Sequence, residues 1–532
     1  MNSIKRIIQN KLLFGFMILL TMQVFSQQTN SLEVKIFPNE HWWGGAVWDG
    51  HIMPFQDGYS IDLYENNKGN QVQPLLVSDN GRVIWSEDPI SFAINGDKIL
   101  VTSIGAEIKL SSQGATLKDA YANASKKYFP PSGKHPDDLL FEQPQYNTWI
   151  ELIYNQNQED ILKYANGIVA NGFSPGVLMV DDNWQEDYGK WDFHQGRFSN
   201  PKQMVDEIHE LGFKVMLWIC PFVSPDSDVY RDLEKKGYLI RTKEGDFPLI
   251  VRWWNGASAV LDFTNPGAVA WFNSQLKGLQ DKYGIDGYKF DAGDSYFYNQ
   301  PLTSFDALAT PNDHTYSFQQ FGLEYPLNEY RATWKMGGQP LAQRLHDKGH
   351  NWEDITKLIP QITLQGILGY PFNCPDMIGG GEYGSFINLE TIDQELIVRS
   401  AQVHALMPMM QFSVAPWRVL NKENLDAVKK ATKIRKQFTP TIMELVDKAA
   451  KTGEPVVRSM EYEFPHMGYY DIKDQFMLGS EILVAPVLEK GVTERKVVLP
   501  KGKWKHNGKT YKGGKVVEIK VSIFDIPVFQ KS

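Results

Sequence analysis

At 532 residues the chain is too long for one hydrophobic core, and two or three domains are expected. A net charge of −9 without any basic stripe excludes nucleic acid as a partner, because binding a polyanion needs clustered cations. Aromatic residues make up 13% of the chain, with 15 Trp, and exposed Trp faces suit the apolar C–H faces of sugar rings.

Lys5, Arg6 and Lys11 form a positive segment around the start of an apolar run at 12–20. The run is too short to span a bilayer comfortably and reads as an export signal over 1–27, with cleavage near Ser26-Gln27. A retained membrane anchor is the alternative. With the signal removed, no stable membrane insertion is expected, and the protein is exported, to the periplasm or beyond. The two cysteines, Cys220 and Cys374, sit in apolar strand contexts and read as buried free thiols.

From 28 to 140, short alternating runs with turn signals predict an N-terminal β-sandwich, ending in a Pro- and Gly-containing linker at 130–133. From 141 to 452 the pattern becomes strand–helix alternation. Strands are predicted at 148–152, 176–180, 214–219, 287–290, 330–334, 341–345, 369–373 and 407–412. Helices are predicted at 160–170, 201–211, 266–283, 352–368 (interrupted at Pro360) and 392–405. About eight such units predict an α/β fold, a (β/α)8 TIM barrel. An insertion over about 221–261 carries Trp253-Trp254, and 427–450 reads as the last barrel helix with a break at Pro440. Short strands over 453–532 predict a C-terminal β-sandwich.

Acids fall at the C-terminal tips of the predicted strands: Asp181 and Asp182, Asp291, Asp347 and Asp376. A barrel gathers such positions around one mouth. Crowded carboxylates repel and shift one another's pKa, which stabilises no fold but can keep one acid protonated beside an ionised one. Glycosidic bond cleavage uses that pair, one group protonating the leaving oxygen and the other attacking carbon or activating water. Metal binding is the rival use of clustered Asp, but no EF-hand loop or Gly-rich phosphate loop is present. No cofactor is expected, since side chains supply both roles. Lys289, two residues before Asp291 on one strand, points to the same face and favours its ionised form.

Lys289-Phe-Asp-Ala-Gly-Asp294, after Val260-Leu-Asp-Phe-Thr-Asn-Pro266, resembles the nucleophile region of glycoside hydrolase family 31. Val251-Arg-Trp-Trp-Asn-Gly256, Gly369-Tyr-Pro-Phe372, Pro375-Asp-Met-Ile-Gly-Gly380, Met407-Pro-Met-Met-Gln-Phe-Ser413 and Pro416-Trp-Arg418 follow that family's pattern, closest to its myogenesis-regulating glycosidase group. The resemblance implies a retaining enzyme with Asp291 as nucleophile and Asp347 as general acid/base, protonated at rest. The two carboxyls are then expected roughly 5–6 Å apart across one anomeric centre. It implies substrate contacts from Asp181, Trp254, Arg331 and Asp376, with Trp218 and Lys289 lining the same cup. His346 is left out as a neighbour of Asp347 without a role.

Many α-glucosidases of the family carry a sugar-contacting His at the eighth strand, where this chain has Met410-Gln-Phe-Ser413. Asp182, a second acid beside Asp181, suits the O4/O6 side of a sugar with axial O4. The resemblance therefore implies an α-galactosidase acting on an oligosaccharide or glycoside. An α-glucosidase or other α-glycosidase of the family, a transglycosylase and a non-catalytic sugar-binding protein remain alternatives. Trp42-Trp-Gly-Gly-Ala46 is expected to reach the barrel mouth or to pack at a domain interface.

Overall fold

The structure, a computed structural model, describes residues 29–388, 390 and 392–532. The export signal read from the sequence lies outside them. Among the described residues no helix is long and apolar enough to cross a membrane.

Eight short parallel strands form the central sheet: β1 (Gln145–Asn147), β2 (Val177–Val180), β3 (Lys214–Ile219), β4 (Gly287–Phe290), β5 (Asn328–Tyr330), β6 (Gln343–Arg344), β7 (Asn373–Cys374) and β8 (Gln411–Phe412). They pair in chain order, with β8 returning beside β1. A parallel bridge between Met377 and Gln411, with Ile378 N–H donating to the Gln411 carbonyl at 2.8 Å, closes the ring. Val177-Leu-Met-Val180 is buried throughout, as expected of a parallel strand covered on both faces.

The helices start where their caps dictate. Asn157, Asn200 and Asn265 each accept a backbone N–H of the following first turn, and Pro201 and Pro266 stand at first-turn positions where no N–H is needed.

Three expectations are corrected. The segment 148–152 is a helical turn, Trp149–Leu152, because Asn147 Oδ1 accepts Trp149 N–H and turns the chain; the strand lies just before it. The helices Trp352–Ile367 and Lys422–Thr452 run unbroken through Pro360 and Pro440. Proline removes one hydrogen bond, and the buried flanks of Pro360 (Leu358, Ile359 and Ile362) hold the helix together across it. The segment 330–334 divides: β5 stays in the barrel, while Thr333–Trp334 pairs in parallel with Gln71 and Val72 of the N-terminal domain.

That N-terminal domain packs a four-stranded sheet, including Thr29–Lys35 and Lys98–Ile104, against the sheet of Trp42–Ala46, Gln71–Ser78, Arg82–Trp85 and Lys109–Ser112. Trp42 is buried between its two sheets, while Trp43 packs into the core shared with the barrel, so this segment sits at a domain interface and does not line the mouth. The C-terminal domain packs a six-stranded sheet against a two-stranded one around Met477, Leu483, Trp504 and Phe529. Cys220 and Cys374 are both buried and free.

Arg435 pins the last barrel helix from inside. Fully buried, it donates to the carbonyls of Met407, Pro408 and Phe141. Arg435→Met strands these acceptors and is expected to cost about 3 kcal/mol, read as a lowered midpoint of thermal unfolding. An unchanged midpoint would show that the pin carries no weight.

Candidate active site

A cavity of about 280 Å³ opens at the C-terminal end of the barrel strands. Asp181, Asp182, Trp218, Trp254, Lys289, Asp291, Arg331 and Asp347 all line it. A larger groove of about 690 Å³ runs between the helix Trp352–Ile367 and the C-terminal domain, but every acid lining it is exposed. Low-dielectric chemistry belongs to the barrel mouth. Among the described residues no His, Cys, Asp and Glu side chains group as a metal site.

Asp291 leaves the tip of β4 and accepts three hydrogen bonds. Arg331 Nε donates to Oδ1 at 3.0 Å, Ala292 N–H to the same oxygen at 2.8 Å, and Trp218 Nε1 to Oδ2 at 3.0 Å. Burial alone would raise this carboxyl, but Arg331, Lys289 and Arg344 outweigh it and hold Asp291 far below the usual range. The group is a carboxylate at any ordinary pH. Ala292 takes a left-handed φ of 58°, the bend that turns its N–H back onto Asp291.

Lys289 shares the inward face with Asp291, yet its Nζ bonds Asp181 at 2.7 Å. Burial would lower the Lys289 pKa, and Asp181 more than offsets it, so Lys289 stays charged. Arg331 spends its fork on Asp294, at 3.1 and 2.8 Å, and a further bond on the Gly69 carbonyl at 2.7 Å. Gly69, at φ +67°, belongs to the N-terminal domain; a Cβ there would lie 2.6 Å from His346 and 2.9 Å from Arg331.

Across the cavity, Arg344 on β6 donates through Nη1 to Asp347 at 2.6 Å and to Asp376 at 2.7 Å, while its Nε lies 3.3 Å from Glu329. Asp347 was expected to be protonated at rest. Burial would raise it, but the Arg344 contact lowers it and favours the carboxylate. Burial pushes Asp376 up to about 6 despite Arg344. Asp376 is wholly buried behind Arg344 and does not line the cavity, which corrects its expected contact with substrate.

Asp182 is held by the Tyr188 hydroxyl at 3.1 Å and by the Asn255 amide. Asn255 also accepts from the Tyr154 hydroxyl at 2.7 Å. It sits in the tight turn of a hairpin, Ile250–Trp253 with Gly256–Val260, that presents Trp254. Trp254 is 46% exposed, with the Arg331 guanidinium 5.7 Å from its ring. Tyr383 and Trp149 complete an aromatic wall with Tyr154, and Trp149 is fixed by Nε1–H to the Gly381 carbonyl at 3.0 Å.

Sequence reasoning missed Trp149, Tyr154, Arg344, Met377, Glu382 and Tyr383, and it set aside His346, which lines the cavity. One signal was available: Arg344 is the one charge inside a predicted barrel strand, Leu341-Ala-Gln-Arg-Leu345. The aromatic residues come from loops whose course no periodicity reveals.

Burial, then the charge of Asp181, raises Asp182 to about 7. The folded chain therefore keeps a proton that an unfolded Asp releases near pH 4, so stability falls as pH rises from about 4 to 7. Asp182→Asn removes this penalty. It is expected to stabilise the fold by about 2–4 kcal/mol at pH 8 and to do little at pH 4. Thermal unfolding of both proteins across that range checks the sign; a gain independent of pH would refute it.

The family model for the glycosyl hydrolase family 31 TIM-barrel domain matches residues 143–445, and the model for that family's C-terminal domain matches 453–532. The mouse myogenesis-regulating glycosidase is 32% identical over 424 residues, 78% of this chain and 59% of that protein. The α-xylosidase XylQ of Lactiplantibacillus pentosus is 25% identical, over 88% of this chain and 64% of its own. The chain thus spans about 60% of these relatives' length. Among solved structures, a Flavobacterium johnsoniae dextranase of the family complexed with glucose superposes with a TM-score of 0.83 at 19% identity, covering 94% of this chain and 66% of that one. A soil-metagenome α-xylosidase complexed with xylose superposes at 0.81 and 21% identity, covering 94% and 79%. With more than half of its length matched by that barrel model, the chain belongs to glycoside hydrolase family 31.

Proposed function

We propose that the protein is a retaining, exo-acting α-glycoside hydrolase that releases terminal α-linked galactose. The observation that carries this reading is a fixed, ionised Asp291 sharing one cavity with the more accessible Asp347. A cavity of about 280 Å³ lies at the small end of ligand pockets and suits a terminal sugar better than an internal stretch of chain.

In the first half-reaction an Asp291 oxygen attacks the anomeric carbon while Asp347, in its protonated form, gives its proton to the departing glycosidic oxygen. The bond from carbon to the leaving oxygen breaks with its electron pair on that oxygen. In the second, Asp347 takes a proton from water, water oxygen attacks the same carbon, and the carbon–Asp291 bond breaks. Positive charge on the sugar ring in each transition state faces the ionised Asp291.

Galactose is supported by the adjacent carboxyls Asp181 and Asp182, both facing the cavity, which suit the O4/O6 side of a sugar with axial O4. Other relatives are named α-xylosidase and α-glucosidase, so the sugar is the point to test. Trp254 offers an exposed face at the rim for sugar stacking. Export, read from the basic and apolar N-terminal segment, belongs to the same proposal; cell fractionation tests it, and an intracellular protein would refute it.

On a panel of aryl α-galactosides, α-glucosides and α-xylosides, the galactoside is expected to turn over fastest. Asp291→Asn is expected to lower that turnover at least about 10⁴-fold with an unchanged circular dichroism spectrum. Wild-type turnover in the variant would overturn the mechanism, and a preference for glucose or xylose would overturn the sugar assignment.

A further inference from the structure

Arg344 is over-subscribed. Its Nη1 carries two hydrogens but faces three acceptors: Asp347 Oδ1 at 2.6 Å, Asp376 Oδ1 at 2.7 Å and the Leu345 carbonyl at 3.0 Å. Glu329, behind it, adds a third carboxyl to the same cation. One guanidinium therefore contacts three buried or half-buried acids, and low dielectric penalises that concentration of negative charge. The group must hold protons.

Asp376 and Asp347 differ in their other contacts. The Oδ2 of Asp376 accepts Lys348 N–H at 2.7 Å and Gly381 N–H at 3.0 Å, and its side chain is 1% exposed. It is held with a left-handed φ of 83°, a strained choice for Asp that its three donors fix in place. Asp347 has Arg344 as its side-chain partner and is 33% exposed toward the cavity. Gly381 keeps the two acids close, since a Cβ there would sit 2.8 Å from Asp376 and 3.0 Å from Asp347.

We propose that Arg344 and Asp376 are positioning residues that set the protonation of Asp347. The guanidinium steadies Asp347 as a carboxylate for the step that takes a proton from water. Asp376 competes for the same Nη1 hydrogens, leaving Asp347 able to hold the proton it must first deliver. The unit rests on the glycosidase reading above and deepens it: the general acid/base is a coupled pair of carboxyls, not one residue.

The other charges facing the pair are accounted for. His346 and Lys348 flank Asp347 in sequence, and burial lowers both, keeping His346 neutral. Lys289 and Asp291 on β4 face Arg344 from across the mouth, and Asp354 on the following helix acts on Lys348. Of these, Arg344 alone touches both carboxyls.

The test compares Asp376→Asn and Arg344→Lys with the wild type on two aryl glycosides. One has a poor leaving group that needs the proton; the other, a 2,4-dinitrophenyl glycoside, does not. Asp376→Asn gives Asp347 undivided use of Arg344, so the alkaline limb of kcat/KM on the poor leaving group is expected to fall by about one pH unit. Arg344→Lys loses the shared fork, and the limb is expected to rise. Both losses should be at least about tenfold smaller on the dinitrophenyl glycoside. Equal losses on both substrates with unmoved limbs would overturn the proposal. The reading separates from the glycosidase assignment through carbon-13 NMR of Asp-labelled protein. There the pair is expected to titrate in two steps in the wild type and Asp347 in one step in Asp376→Asn, whether or not any glycoside turns over. Identical titration of Asp347 in both proteins would equally overturn it.

Discussion

Three buried cations make the barrel mouth possible. Lys289, Arg331 and Arg344 come from or just after β4, β5 and β6, and between them they contact Asp181, Asp291, Asp294, Glu329, Asp347 and Asp376. Without them that many acids could not be gathered in a low-dielectric cup, because desolvation would protonate or expel them. The cations are not distributed evenly. Asp291 lies under the influence of all three and is firmly ionised, whereas Glu329, Asp347 and Asp376 share a single contacting guanidinium, that of Arg344. That asymmetry suits the nucleophile and acid/base roles proposed above for Asp291 and Asp347 within one cavity.

The arginines are steadied from outside the barrel. Gln71, in the N-terminal sheet, donates through Nε2 to the carbonyls of Arg331 at 2.6 Å and Arg344 at 2.9 Å. Gln365, from the helix Trp352–Ile367, donates to Gln71 Oε1 at 2.6 Å and holds that amide in place. Asn70 Oδ1 accepts His346 N–H at 2.9 Å. Pairing of Thr333–Trp334 with Gln71 and Val72 extends the N-terminal sheet with a piece of barrel chain. The N-terminal domain is thus part of the support of the site. A barrel cut free of it would lose partners of both arginines and of His346.

Much of the architecture was legible because the barrel strands are apolar and bounded by strong signals. Gly287-Tyr-Lys-Phe290 ends on an acid, and Pro266 follows a capping Asn265, so their bounds read directly from the chain. Where strands shrink to two residues, as at Gln343–Arg344 and Asn373–Cys374, apolar runs overstate them, since neighbouring residues are buried by packing without joining the ladder. The carboxyls at strand tips were legible for the same geometric reason that they meet in space. Their electrostatics were not. Lys289 was placed beside Asp291 by strand alternation, yet it reaches across to Asp181 at the tip of β2, a choice that only the curvature of the closed barrel decides. Asp376 looked like its fellow tip acids, but its left-handed backbone turns it behind Arg344.

The opposite wall follows another logic. Asp182, Tyr188, Asn255 and Tyr154 form one hydrogen-bonded cluster that joins the tip of β2 to the inserted hairpin. The hairpin's other face is packed by Trp253 against Tyr188 and Phe222, with ring centroids 4.7 and 4.6 Å apart. Asn255 is therefore clamped between an acid of the barrel and an aromatic wall, and its neighbour Trp254 projects over Arg331. The acid facing one side of the cavity and the aromatic plate at its rim are held by the same bonds. A change at Asp182 is felt at the plate, whereas the cations around Asp291 lie outside that cluster. This cluster joins the cation network at the tip of β2, where Asp182 N–H donates to Asp181 Oδ1 at 2.9 Å and Asp181 accepts from Lys289, and the two meet again where Trp254 overhangs Arg331.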